Sequence, residues 1–257
     1  MRFAVVLHLI IVLFLILSPG CGSGVRSDTS QKPGEAIANG LPDISKEWSH
    51  QEYQQFYQYV SKLPRSIMLP HFSSQKSGAI MKKYEAHIIR PGLTDRSVDL
   101  NWRMQIVIEM QMATKETLKV YMNRHFSGED YSTEMAVFMG INFAVGEQLM
   151  LLLDEFLPTL DPSDPSYPTR MQGLKQVKTG MVSMFQGWVL ALGETRNYTK
   201  DELIRMSRYV EKHGPFLLRK LDQDQQDIIK ADLNRISSQN PIPEIREIAS
   251  HLLSNSF

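Results

Sequence analysis

Residues 132–157 constrain the fold more than any other stretch of the chain. Between positions 135 and 153 only Asn142, Glu147 and Gln148 are strongly polar. A helix that is apolar nearly all round must be buried, inside either a bundle or a membrane. Its length suits both, since a span needs about 20 residues. The bundle is the expected home. Glu147 would be costly near the middle of a bilayer, and Gly140 and Gly146 weaken an isolated helix.

A buried central helix requires others around it, and the pattern supplies them. Helical spacing of apolar residues predicts long helices over 98–125, 132–157 and 169–193. The loop 158–168 holds four prolines, which no helix interior tolerates. Short connections between long helices favour antiparallel neighbours. Shorter helices are expected on both flanks. Before the long ones come a helix opened by Ser49 and Glu52 at capping-box spacing, behind Trp48 as a staple, and another over 75–88 closed by Pro91-Gly92. After them, Thr199 and Glu202 form a second capping box, and that helix should stop near His213 because Gly214-Pro215 follows. Helices over 223–237 and 243–253 carry two apolar stripes, Ile228, Ile229, Leu233 and Ile236, and Ile245, Ile248, Leu252 and Leu253. The expected class is therefore all-α: a bundle of long antiparallel helices with shorter flanking helices at both ends.

The N-terminus reads differently. Arg2 is the only charge before an apolar run over 3–17, interrupted by His8. At about fifteen residues the run suits a signal-peptide core better than a span. Ser18, Pro19 and Gly20 follow, then Cys21, the one cysteine in the chain. This arrangement resembles the bacterial lipoprotein signal, in which a small residue precedes a cysteine that is diacylated and becomes the new N-terminus. Gly20 and Cys21 match the last two positions. Ser18 stands where that signal usually has leucine, and Pro19 is unusual between them. The resemblance implies lipidation at Cys21 and attachment to a membrane of the bacterial cell envelope. The alternatives are an ordinary secretory signal with a secreted soluble product, and an uncleaved anchor.

One cysteine makes no intrachain disulfide, so the body must be stable through its core. Acylation would also remove a thiol that is exposed to wrong pairing. Each buried methylene of such an anchor contributes about 0.8 kcal/mol, and stable attachment takes more than one chain. Residues 21–43 are rich in Gly, Ser and Pro and should form a flexible tether with a reach of roughly 25 Å. The expected organisation is a signal segment 1–20, a tether 21–43 and a helical domain 44–257, divisible into a bundle 44–196 and a C-terminal short-helix part 197–257.

Charge and motifs narrow the function by exclusion. The chain has 28 basic and 28 acidic side chains, so a nucleic-acid partner is not expected. No phosphate loop, serine elbow or His-Glu-x-x-His zinc helix is present, and no cofactor or metal site is expected. The seven histidines are scattered. His125 and His213 are placed near helix C-termini, where the dipole favours a cation. Glu109 and Glu116 share a helix face and Glu147 lies in an apolar stretch, but the Glu-x-x-His pattern of a di-metal bundle is missing. Asp154 and Glu155 are adjacent and point apart. Met110 and Met112, Met135 and Met139, and Met181 and Met184 are close pairs that core packing explains better than Cu(I) binding. Asn197-Tyr198-Thr199 matches a glycosylation acceptor that matters only in a eukaryotic source.

One pattern points to a ligand. Gly173, Gly180 and Gly187 repeat every seven residues on the third long helix, and Ala136, Gly140 and Ala144 every four on the second. Each glycine costs a helix about 1 kcal/mol against alanine. The expectation is close helix packing, and the sharper alternative is a groove for an elongated apolar ligand beside Gly173, Gly180, Gly187 and Gly140. The expected function is a non-catalytic helical binding or assembly module displayed at the envelope membrane, with a protein partner in view. The alternatives are a carrier of a small apolar ligand or metal, and an envelope enzyme in which His87 or His125 meets Glu109 or Glu116.

Overall fold

The computed structural model describes residues 41–43, 45, 50–74, 77–88, 98–193 and 197–257. The signal segment 1–20, Cys21, the tether up to residue 40 and the Ser49 capping position lie outside the described residues. At the end of the tether, Leu41 packs against the core and Pro42 is buried.

The described residues form eight α-helices: α1 (His50–Lys62), α2 (Gly78–Ile88), α3 (Leu100–His125), α4 (Ser132–Phe156), α5 (Tyr167–Gly193), α6 (Lys200–Leu218), α7 (Gln223–Gln239) and α8 (Pro243–Ser256). The chain is a helical bundle, with α4 at its centre. Helix α4 packs on α3 and α6 most extensively and also touches α2 and α5. It is long and apolar enough to cross a membrane, yet 72% of its most apolar window is buried inside the protein.

Contacts along the helices give their directions. Arg103 at the start of α3 forms a bidentate pair with Glu155 at the end of α4, at 2.6 and 3.1 Å, so these two are antiparallel. Helix α5 leaves from the end of α4 and returns the chain to the start of α6 beside Thr133, so it runs antiparallel to α4, and Phe143 meets Phe185 edge-on where the two pack. Thr133 bonds Glu202 and Glu147 bonds His213, so α6 runs parallel to α4 with α5 as the return stroke between them. Sequential long helices thus alternate in direction.

Local chemistry fixes the helix ends. Thr199 Oγ1 accepts from the Glu202 amide at 3.3 Å while Glu202 Oε2 accepts from the Thr199 amide at 2.7 Å, completing the expected capping box. Asp99 caps α3 by accepting from the Trp102 amide at 3.0 Å. A single turn of 3₁₀ helix over Leu157–Thr159 accommodates Pro158 after α4.

Helix α6 departs from the sequence expectation. It does not stop near His213 but continues through Gly214 and Pro215 to Leu218. Pro215 removes one backbone bond. Burial of Leu217 and Leu218 offsets that loss, at roughly 1.5–3 kcal/mol per fully buried leucine. Gly214 also lets Leu252 of α8 approach, since a Cβ there would sit 3.1 Å from its Cδ2. The stripes of α7 and α8 face each other through Ile229, Leu233, Ile236, Ile245, Ile248 and Leu252, but Ile228 is half-exposed and lies outside the contact.

Candidate functional site

The segment 63–74 has no regular structure, and its two prolines, Pro64 and Pro70, explain why. Its buried backbone groups still need partners. Side chains from α3 and α4, and from Tyr131 between the two, supply them. Tyr131 Oη accepts from the Leu69 amide at 2.9 Å. Glu134 Oε1 accepts from the Phe72 amide at 2.7 Å. Tyr121 donates to the Pro70 carbonyl at 2.8 Å, and Arg124 donates to the Ile67 carbonyl. The segment is pinned across the end of the bundle, where α3 finishes and α4 begins.

The opposing turn is equally defined. Gly128 has φ +104°, a left-handed conformation that side chains with a Cβ rarely adopt. Asp130 Oδ1 then accepts from the Ser132 amide at 3.2 Å and its hydroxyl at 2.8 Å, turning the chain into α4. These bonds hold the Asp130 carboxyl below its usual range.

Between the pinned segment and this turn lies a pocket of about 580 Å³. Met68, His71, Ser73 and Ser74 form one wall, and residues 129–134 form the other. His71 stacks on Tyr131 with ring centroids 4.5 Å apart and planes at 15°. Its Nδ1 lies 3.6 Å from Glu134 Oε2. Burial raises the pKa of Glu134, against the bond from Phe72 and the nearby imidazole. Tyr131 donates to Glu129 Oε2 at 2.7 Å, and burial together with that bond pushes its hydroxyl up to about 12. Next to the pocket, Glu202 Oε1 accepts from Thr133 at 2.6 Å and lies 2.8 Å from the Ser132 hydroxyl, whose one proton it shares with Asp130. Burial opposes its charge, but the bonds from Thr133, Thr199 and Ser132 outweigh that and hold its carboxyl low.

The pocket is therefore acidic, hydrogen-bonding and held by fixed side chains. Glu129, Asp130 and Glu134 line it, and among its lining residues His71 alone can carry a positive charge. Arg124 compensates Glu129 from behind at 3.0 Å.

The sequence expectations for a site fall elsewhere. Gly180 and Gly187 line a smaller cleft of about 160 Å³ between α3, α4 and α5, together with Met139, Met184 and Phe143. Gly173 is buried on the same helix. Gly140 is not in that cleft. It faces α6, where an added Cβ would sit 2.4 Å from Tyr209 Cδ2. Cys21 lies outside the described residues.

The polar residues singled out from sequence take other partners. Glu109 accepts from Gln105, Glu116 pairs with Lys119, Asp154 with Lys220 and Glu155 with Arg103. His125 accepts from the Tyr131 amide at 3.2 Å and is not beside Glu109 or Glu116. The His87 side chain lies outside the described residues. His213 is not at a helix end, because α6 runs on past it. It is 6% exposed, and its Nδ1 lies 2.5 Å from Glu147 Oε2. Among the described residues no group of three or more His, Cys, Asp or Glu is arranged to hold a metal.

The pocket residues His71, Tyr131 and Glu134 escaped the sequence reading. A weak signal was present: Gly128, then Asp130 two before Ser132, marks a tight turn into an apolar helix. Nothing local joined that turn to His71, some sixty residues earlier. Comparison with protein-family models, curated proteins and solved structures finds no match to this chain.

Proposed function

We propose that this chain is a ligand-binding module held at a cell-envelope membrane through Cys21, and that its pocket captures a small cationic, hydrogen-bonding ligand. One observation carries the reading: a pocket of about 580 Å³ whose ionisable lining is Glu129, Asp130, Glu134 and His71. That volume lies in the range of small-molecule sites, roughly 300–1,000 Å³. Asp130, held ionised, favours an ammonium group over an anion. The serine and threonine hydroxyls provide orientation, and the stacked His71 and Tyr131 rings form a flat aromatic wall.

The test uses the full chain and two probes of equal length, 1,4-diaminobutane and 1,4-butanediol, in isothermal titration. The diamine should bind, and Asp130→Asn should weaken it by about tenfold, the equivalent of one charge-assisted hydrogen bond. Equal binding of the diol, or no effect of Asp130→Asn, would refute the cationic ligand. For the anchor, Cys21→Ala should abolish incorporation of labelled fatty acid and leave the precursor uncut. Unchanged processing would overturn lipidation.

A further inference from the structure

The second cleft has a feature that glycine spacing alone does not explain. Gln111 of α3 forms part of its wall and is 7% exposed. Its Oε1 is buried and, among the described residues, has no hydrogen-bond partner. An amide oxygen left so keeps its desolvation penalty with nothing to offset it, and a position in a wall with Phe143 and the methionines would ordinarily be filled by an apolar residue. One turn further along α3, Lys115 is less buried and is the one charged group in the cleft wall among the described residues. Burial and the neighbouring Lys119 lower its pKa, against the opposing carboxylate of Glu116.

We infer that this cleft is a second binding site, for a ring-sized apolar group that carries a hydrogen-bond donor at its inner end and an acidic group at its rim. Size supports the ring. The cleft holds about 160 Å³, and an apolar cavity of about 150 Å³ accepts benzene. Gly180 and Gly187 leave two positions of the α5 wall without side chains, on either side of Ser183 and Met184, and a Cβ at Gly187 would meet nothing within 4 Å among the described residues. Met184 offers a thioether contact to an aromatic face, while the Met139 sulfur accepts from the Tyr198 hydroxyl. The inner donor satisfies Gln111 Oε1, and the rim acid meets the Lys115 ammonium. The site shares no lining residue with the acidic pocket.

The experiment is ligand-observed NMR titration of the full chain with 4-hydroxybenzoate and benzoate, which differ only in the donor. 4-Hydroxybenzoate should bind about tenfold more tightly, the equivalent of one satisfied buried acceptor. Gln111→Met should bring the two probes within about twofold of each other, and Gly187→Leu should weaken both by at least about tenfold by filling the cleft. Asp130→Asn should change neither, which separates this site from the acidic pocket. Equal binding of the two probes to the natural chain overturns the donor assignment. Undiminished binding to Gly187→Leu overturns the site, and that variant decides the matter even if Gln111→Met fails to fold.

Discussion

On the side of α4 that faces α6, Gly140 lies under the Tyr209 ring so closely that a Cβ would sit 2.4 Å from Cδ2 and 2.6 Å from Cγ. On the other side of α4, Gly187 of α5 would carry a Cβ that meets nothing within 4 Å among the described residues. Both glycines cost their helices about the same, roughly 1 kcal/mol against alanine. The difference is in what lies opposite. Tyr209 is held over Gly140 by its bond to Glu85, which Arg205 also grips at 3.0 and 3.1 Å. Opposite Gly187, α5 and α4 stand far enough apart to leave the small cleft. A small residue therefore permits either close packing or a void, and the neighbouring helix selects between them.

The largest effect that tests this contrast is Gly140→Val. The clash is with Cβ, Cγ and Cδ2 of Tyr209, the base of a ring whose far end is tethered to Glu85, so the cost should be about 3 kcal/mol, at the upper end for overpacked cores. Urea denaturation measures it. A loss below about 1 kcal/mol would mean that Tyr209 yields freely and that the two sides of α4 are alike.

Glu147→Ala probes the same packed side through its polar contact. It leaves His213 Nδ1 without its partner, beside an Nε2 that already has none among the described residues. A loss of about 2 kcal/mol is expected, against less than about 0.5 kcal/mol for Glu109→Ala on the surface of α3. Similar losses for the two would remove the Glu147–His213 contact from the account of how α4 and α6 dock.

On the open side, Gly187→Ala should stabilise the chain by about 1 kcal/mol, through helix propensity alone. That corresponds to roughly 2–4 °C in Tm for a chain of this size. A lower Tm would show that the cleft closes in solution.

The smallest effect concerns the acidic pocket and depends on pH. Burial raises the Glu134 carboxyl above its ordinary value of 4.5. Ionising it therefore costs stability, progressively, as pH rises through and above 4.5. Glu134→Gln keeps an acceptor for the Phe72 amide and removes that cost. The variant should be more stable at pH 7 by about 1 kcal/mol or less, with the gain fading below pH 4.5. Asp130 and Glu202 work in the opposite sense. Their carboxyls are held low, so their contribution is present above the ordinary range and is lost as acid protonates them. Melting curves across pH 3–8 for Glu134→Gln and Asp130→Asn should diverge accordingly, and parallel curves would remove the pocket from the titration of the fold.

Much of the fold was legible because its signals are local. Thr199 and Glu202 predicted a helix start that the structure reproduces bond for bond. The apolar circumference of 135–153 predicted a central helix, and α4 is central. Pro215 misled because proline's cost is local, whereas the burial of Leu217 and Leu218 that outweighs it comes from elsewhere in the chain. His213 was misplaced for the same reason. The glycine pattern located a face on α5 but put Gly140 with it, since spacing along one helix carries no information about the helix opposite.

The sequence by itself determined that the body is helical, where most helices begin and end, and which of them must be buried. Those properties rest on backbone hydrogen bonds and side-chain periodicity over three or four residues. The tertiary structure alone decided which glycines face a ring and which face a void, and it alone joined His71 to Glu134. The bond that fixes that junction, from the Phe72 amide to Glu134, spans 62 positions. A contact of that reach leaves no spacing pattern to read, because it depends on where whole helices come to rest.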